Sequence, residues 1–181
     1  MQELQVWRYH ADALQKEVFM KKISIYPGTF DPITNGHLDL VKRALRIFDE
    51  VIIAVAPSQK KQPLFSLQKR ITLIRNAIST LKRAKVEVFE GLLVEYVRKK
   101  NGIAILRGLR AISDYEYELQ MAHMNRRLDT KIETVFMMPS EEYSFLTSSI
   151  VKEVVSFGGS VKDLVPAGVE KALRDKLKNR K

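Results

Sequence analysis

The chain has 181 residues, of which 45% are hydrophobic and 29% charged, an ordinary profile for a globular protein with one packed core. It contains no cysteine, which excludes disulfides, thiolate metal sites and a cysteine nucleophile. No apolar run reaches the roughly 20 residues of a transmembrane helix, and the first residues lack a signal-peptide pattern, so we expect a cytoplasmic protein without a membrane partner.

The formal net charge of +10 indicates anionic partners, either nucleic acid or phosphorylated metabolites. Half of this excess lies in residues 171–181, which hold six Lys and Arg against one Asp. Cations also stabilise a helix C-terminus, so this tail alone gives little support to nucleic-acid binding. A basic nucleic-acid-binding protein stays an alternative interpretation.

Residues 1–19 precede the first predicted strand, either as a short amphipathic helix or as an extension that begins upstream of Met20. No function is assigned to them. From residue 20 to 181 apolar runs alternate with helical patterns, without a linker or repeat, which predicts one domain. Strands are predicted at 23–26, 51–56, 86–89, 103–106 and 134–138.

Helices are predicted between these strands from apolar residues spaced three and four apart. The first three cover residues 38–48, the apolar stripe from Leu67 to Leu81 with Ser66 as its cap, and residues 92–100. The other three begin at a Ser113–Glu116 capping box, near Thr147 and at Pro166. This alternation indicates an α/β Rossmann-like fold with a mostly parallel five-stranded sheet and helices on both faces. Ligands of such sheets bind beyond the carboxyl ends of the strands.

The turn-rich stretch after the first strand reads PGTFDPITNG over residues 27–36 and leads into His37. Glycine lets a phosphate come close to the main chain, and the following helix N-terminus supplies free N–H groups. The stretch is neither GxGxxG nor a Walker loop, which argues against dinucleotide-dependent oxidoreductases and P-loop kinases. A capped turn without a ligand is the alternative.

Residues 26–37, YPGTFDPITNGH, resemble the T/HxGH signature of the nucleotidyltransferase superfamily. Within it they are similar to the phosphopantetheine adenylyltransferase family, which carries Thr at the position of Thr34 where many relatives carry His. The resemblance runs from about Met20 to the last helix. It implies transfer of AMP from ATP to 4′-phosphopantetheine, giving dephospho-coenzyme A and pyrophosphate, by a homohexamer.

Three further polar clusters follow predicted strands. Residues 58–65 contain Lys60 and Lys61, which suit a phosphate neighbour but taken alone are more typical of a solvated loop. The RGLR sequence of residues 107–110 places two arginines around a glycine, an arrangement that clamps anions. Residues 143–149, YSFLTSS, place hydroxyls at a helix start, where they cap the helix or bind polyphosphate.

The resemblance implies roles for these residues. It implies ATP contacts for Thr29, Phe30, His37, Gly108, Leu109, Arg110, Glu118, Tyr143, Ser144, Phe145, Leu146, Thr147, Ser148 and Ser149. It implies acceptor contacts for Thr29, Lys61, Leu93 and Arg107. Catalysis is expected from His37 and Thr29 on the transferring phosphate, Lys61 on the acceptor phosphate, and Arg110 on the leaving group.

Mg²⁺ is expected to accompany ATP and to be bound by phosphates and water, because the sequence shows no cage of carboxylates. A second interpretation within the superfamily is a different adenylyl- or cytidylyltransferase, with nicotinamide mononucleotide or a sugar or alcohol phosphate as acceptor. Thr34 and the RGLR sequence favour the phosphopantetheine adenylyltransferase family.

Overall fold

In the computed structural model, the described part of the chain comprises residues 21–57, 62–110 and 112–178. The predictions for residues 1–19, and those for Lys60 and Lys61, lie outside these ranges.

Five parallel strands form one sheet in the described part of the chain, in the order β3-β2-β1-β4-β5. They are β1 (Ile23–Gly28), β2 (Glu50–Val55), β3 (Ala84–Val88), β4 (Gly102–Gly108) and β5 (Glu133–Met137). The predicted five-stranded Rossmann-like sheet is confirmed, and every pairing in it is parallel rather than most of them. Strand ends differ from prediction by one to two residues.

Six α-helices lie in the described ranges. They are α1 (Asn35–Ala44), α2 (Leu67–Ala77), α3 (Leu93–Lys99), α4 (Ile112–Leu128), α5 (Ser148–Ser156) and α6 (Ala167–Lys178). None of them is long and apolar enough to cross a bilayer.

The sheet has an apolar core on each face because successive strand residues point to opposite sides. Tyr26 and Ile53 belong to the larger core, which packs against α1, α2, α5 and α6, whereas their neighbours Ile25 and Ile52 belong to the smaller core beside α3. All six residues of β2 are buried, and Val51–Val55 confirm the prediction from the apolar run, whereas the buried Glu50 was not part of it. Helices therefore cover both faces.

Two helix predictions need correction at their ends. α2 is capped by Ser66 as predicted, but it ends at Ala77, and Leu81 lies in a following turn. α4 begins at Ile112, so Ser113 lies in its first turn and not at the predicted N-cap position. Sequence patterns specify helix faces better than helix ends, because the terminal turns depend on local hydrogen bonds.

The strand order reverses at β1, whose neighbours are β2 on one side and β4 on the other. Crossovers leave β1 and β4 in different directions along the sheet, which opens a crevice beyond their carboxyl ends. The residues that follow β1 and β4 are the predicted phosphate-binding turn and the RGLR sequence.

Candidate active site

A cleft of about 790 Å³ opens at the carboxyl ends of β1 and β4. It brings together most of the sequence-predicted site residues, from four separate segments of the chain. These are Thr29, Phe30, His37, Arg107, Gly108, Arg110, Glu118, Tyr143, Leu146, Thr147, Ser148 and Ser149.

The turn between β1 and α1 holds His37 through a reciprocal cap. Thr34 is the N-cap of α1, and its Oγ1 accepts a hydrogen bond from the His37 main-chain N–H at 3.4 Å. In return the Thr34 main-chain N–H donates to His37 Nδ1 at 3.0 Å. The cap thus fixes both the start of the helix and the orientation of the imidazole.

This geometry, together with the pKa of the ring, determines which nitrogen of His37 carries the proton. Burial, with the nearby positive charge of Arg110 as a smaller cause, lowers the pKa of His37 to about 4, so the imidazole is neutral at pH 7. Because Nδ1 accepts the Thr34 N–H, the one ring proton of the neutral form lies on Nε2. His37 therefore offers the cleft an uncharged N–H donor.

The Phe30 side chain packs against the His37 imidazole. Its ring centroid lies 5.1 Å from that of His37 and 5.3 Å from that of Tyr26, both in edge-to-face geometry. Phe30 is buried and has a φ of 49°, in the left-handed region that residues other than glycine rarely adopt. A Cβ atom on Gly28 would lie 2.9 Å from the Phe30 ring, so this position requires glycine.

Arg107, at the end of β4, is held by two partners. Its Nε donates to Glu118 Oε2 at 2.6 Å and its Nη2 to Glu118 Oε1, while its Nη1 donates to the Pro27 carbonyl at 3.2 Å. The predictions assigned Arg107 and Glu118 to different substrates, but the structure joins them in one bidentate ion pair. Arg110 is exposed and lines the same cleft.

The N-terminus of α5 closes the far side of the cleft. Thr147 is its N-cap, with Oγ1 accepting from the Ile150 N–H at 3.0 Å, and Ser148 Oγ donates to the Pro32 carbonyl at 2.7 Å. Two of the three consecutive hydroxyls are thus engaged within the protein. The helix N-terminus itself, together with Ser149, is what faces the cleft and suits an anion.

Four other predicted residues are not among those lining the cleft. Leu109 donates its N–H to the Met137 carbonyl, Ser144 Oγ donates to the Glu141 carbonyl, and Phe145 is 57% exposed. Leu93 packs against the smaller core beside α3. Lys61 lies outside the described residues; Gln62 and Pro63, which follow it, do line the cleft.

Sequence reasoning missed an ion pair in the cleft wall. Lys152 Nζ lies 3.0 Å from Asp31 Oδ2, and the Asp31 carboxylate also accepts the main-chain N–H groups of Leu64 and Phe65 at 2.8 and 2.9 Å. The available signal was the spacing, since Lys152 follows Ser148 by one helical turn and so shares its face.

The cleft presents guanidinium, ammonium, neutral imidazole N–H and helix N-terminal groups, a set that binds phosphates. No cluster of three His, Cys, Asp or Glu that could hold a metal occurs within the described ranges. Asp31 and Glu118, the carboxylates of the cleft, are both paired with cations. An Mg²⁺ ion that entered this cleft with ATP would therefore be coordinated by phosphate oxygens and water.

Comparison with known proteins agrees with this chemistry. The cytidylyltransferase-like family model matches residues 25–154. The phosphopantetheine adenylyltransferase of Thermodesulfovibrio yellowstonii is 64% identical over 160 residues, which cover 88% of this chain and 99% of that relative.

Two solved structures share the fold at low identity. A bifunctional NMN adenylyltransferase/ADP ribose pyrophosphatase from Francisella tularensis has a TM-score of 0.66 and 15% identity, over 88% of this chain and 50% of that protein. A lipopolysaccharide core biosynthesis protein from Thermoplasma volcanium has a TM-score of 0.53 and 21% identity, over 67% and 99% of the two chains.

Proposed function

The chain belongs to the phosphopantetheine adenylyltransferase family, and from this premise we propose that it transfers AMP from ATP to 4′-phosphopantetheine. The products are dephospho-coenzyme A and pyrophosphate. The observation that carries the proposal is the meeting of His37, Arg107, Arg110 and the α5 N-terminus around one cleft, because these donors suit two phosphorylated substrates side by side.

An oxygen of the acceptor phosphate attacks the α-phosphorus of ATP in line, and the bond from that phosphorus to the bridging oxygen of the β-phosphate breaks. The acceptor is already anionic at neutral pH, so the reaction needs no protein nucleophile and no strong base. The protein contributes positioning and fixed hydrogen-bond donors aimed at the developing charge.

His37 supplies a donor of this kind. Its neutral ring directs Nε2–H into the cleft, where it stabilises the oxygens of the α-phosphate as their charge rises. A neutral donor also keeps its proton throughout, so the ring orientation set by Thr34 is the same before and after transfer.

The two arginines and α5 divide the remaining phosphates. Arg107, oriented by Glu118, receives the acceptor phosphate, and Arg110 with the N-terminus of α5 receives the pyrophosphate. Lys61 is the second acceptor-phosphate ligand that the family resemblance implies, and Leu93 the contact for the pantetheine arm. Both assignments rest on the resemblance.

Three further properties belong to this proposal and are supported by the family resemblance. Mg²⁺ accompanies ATP and would neutralise part of the charge of the leaving pyrophosphate. The enzyme works in the cytoplasm, and it does so as a homohexamer.

The test is pyrophosphate release with ATP, Mg²⁺ and 4′-phosphopantetheine, run beside nicotinamide mononucleotide and a control without acceptor. We expect release only with phosphopantetheine, matched mole for mole by dephospho-coenzyme A. The His37→Ala variant, assayed in parallel, excludes a contaminating enzyme. Release with nicotinamide mononucleotide and not with phosphopantetheine would contradict the proposed acceptor.

A further inference from the structure

Arg70 carries a buried charge that has no role in the mechanism described above. It lies in the first turn of α2 and is 1% exposed, in a fold where charged side chains are rarely buried so completely. Burying a guanidinium costs free energy unless its N–H groups make hydrogen bonds, so the acceptors of these bonds indicate the role of the residue.

These partners are main-chain carbonyls from two neighbouring segments, and one of the two, the turn at Thr29, lines the cleft. Arg70 Nη1 donates to the Thr29 carbonyl at 2.7 Å and to the Ala56 carbonyl at 2.9 Å, and Nη2 donates to the Pro57 carbonyl at 3.1 Å. One cation thereby ties the turn after β1 to the chain that follows β2.

The bond to Thr29 has a consequence for the next residue. In a trans peptide the C=O and the following N–H point in opposite directions, so fixing the Thr29 carbonyl on Arg70 directs the Phe30 N–H away from Arg70. Thr29 and Phe30 both line the cleft. The left-handed φ of Phe30 is a conformation that persists only when its surroundings impose it.

We propose that Arg70 is a positioning residue of the transfer reaction, which turns the Phe30 main-chain N–H into the cleft as a donor to a nucleotide phosphate oxygen. The guanidinium itself touches no substrate. The identity of the nucleotide rests on the proposed function, whereas the orientation of the peptide rests on the contacts of Arg70.

The kinetic test compares Arg70→Lys and Arg70→Met with the same two changes at Arg75, an exposed residue on the same helix. We expect kcat of Arg70→Met to fall about 10²-fold, because small misplacements at a reacting centre cost this much, while KM for phosphopantetheine changes far less. Arg70→Lys should recover part of the rate, since an ammonium can still donate to Thr29.

Rates are expressed per ATP-binding site, counted by calorimetric titration, so that unfolded protein does not lower kcat. If the Arg70 variants lose thermal stability but keep the kcat of the Arg75 variants, Arg70 is only structural and the proposal is overturned. If the wild-type enzyme itself shows no turnover, the proposed function has failed instead.

A second measurement needs no variant to fold. Thr29–Phe30 is the only Thr–Phe pair in the sequence, so labelling threonine carbonyls with ¹³C and phenylalanine nitrogens with ¹⁵N selects one amide resonance. We expect that resonance to shift when pyrophosphate or ATP is added to the wild-type protein. A resonance that stays in place at saturating ATP overturns the proposal.

Discussion

Replacing His37 by alanine and by glutamine distinguishes a hydrogen-bond donor from a general base. The neutral ring, with Nδ1 occupied by the Thr34 N–H and a pKa of about 4, can donate from Nε2 but has no free site to accept a proton. Alanine removes the donor, and we expect kcat to fall by about 10²- to 10³-fold, as for loss of one oxyanion donor. A factor of 10² corresponds to about 2.7 kcal/mol of transition-state stabilisation.

Glutamine can place an amide N–H near the position of Nε2 but cannot act as a base near neutral pH. We therefore expect His37→Gln to recover a measurable part of the rate that alanine loses. The assay is pyrophosphate release at saturating ATP and phosphopantetheine. His123→Gln is the matched control, because His123 is exposed on α4 and should tolerate the change.

The ring pKa itself is measured by NMR, since phosphate monoesters titrate near pH 6 and would obscure a pH–rate profile. We expect the His37 resonances to stay in the neutral form down to about pH 5, with ¹⁵N shifts of a ring protonated at Nε2. A pKa at or above 6.5, or a glutamine variant as slow as alanine, would refute the donor argument.

Three further expectations follow from the same site. The pKa of His37 is lowered to about 4 in the folded protein, against 6.5 in the unfolded chain, so between these pH values only the unfolded state binds the proton. The unfolding free energy should therefore fall by about 2–3 kcal/mol as the pH drops from 6.5 to 4, and urea titrations of His37→Gln should lack this pH-dependent fall. Lys152→Met should lower the unfolding free energy by roughly 1–2 kcal/mol, because it leaves the buried Asp31 carboxylate without its cation, and no change in the urea midpoint would contradict the pair. Glu118→Gln should raise KM for phosphopantetheine several-fold with little change in KM for ATP, because Glu118 orients Arg107; the opposite split would favour a direct ATP contact.

The parts of the structure that sequence predicts are those fixed by local pattern. Alternating strands and amphipathic helices specify the parallel sheet, and the rule that ligands bind beyond its carboxyl edge places the clusters at 27–37 and 107–110 in one cleft. The positions of the five strands and the caps at Thr147 and Ser66 can be predicted from the residues next to them, although the strands themselves pair with distant segments.

The parts that sequence could not predict depend on contacts between distant residues. Asp31 and Lys152 are 121 positions apart, so the sequence can place Lys152 on the Ser148 face of its helix but cannot identify Asp31 as its partner. Helical spacing places Arg70 on the same face of α2 as Ile74, but the carbonyls that its guanidinium contacts are 13 to 41 positions away in the chain. Only the packed arrangement shows which groups pair with these charges.

The ion pair between Arg107 and Glu118 joins two residues to which the family resemblance gives separate roles. A guanidinium has five N–H donors, and three are used by the Glu118 carboxylate and the Pro27 carbonyl. Within these contacts, two N–H groups are left, one on each Nη, which is enough for a bidentate grip on a phosphate. Glu118 can therefore stay paired with Arg107 when an acceptor phosphate binds, and the Glu118→Gln variant tests whether it acts through Arg107 or by the ATP contact that the family resemblance implies.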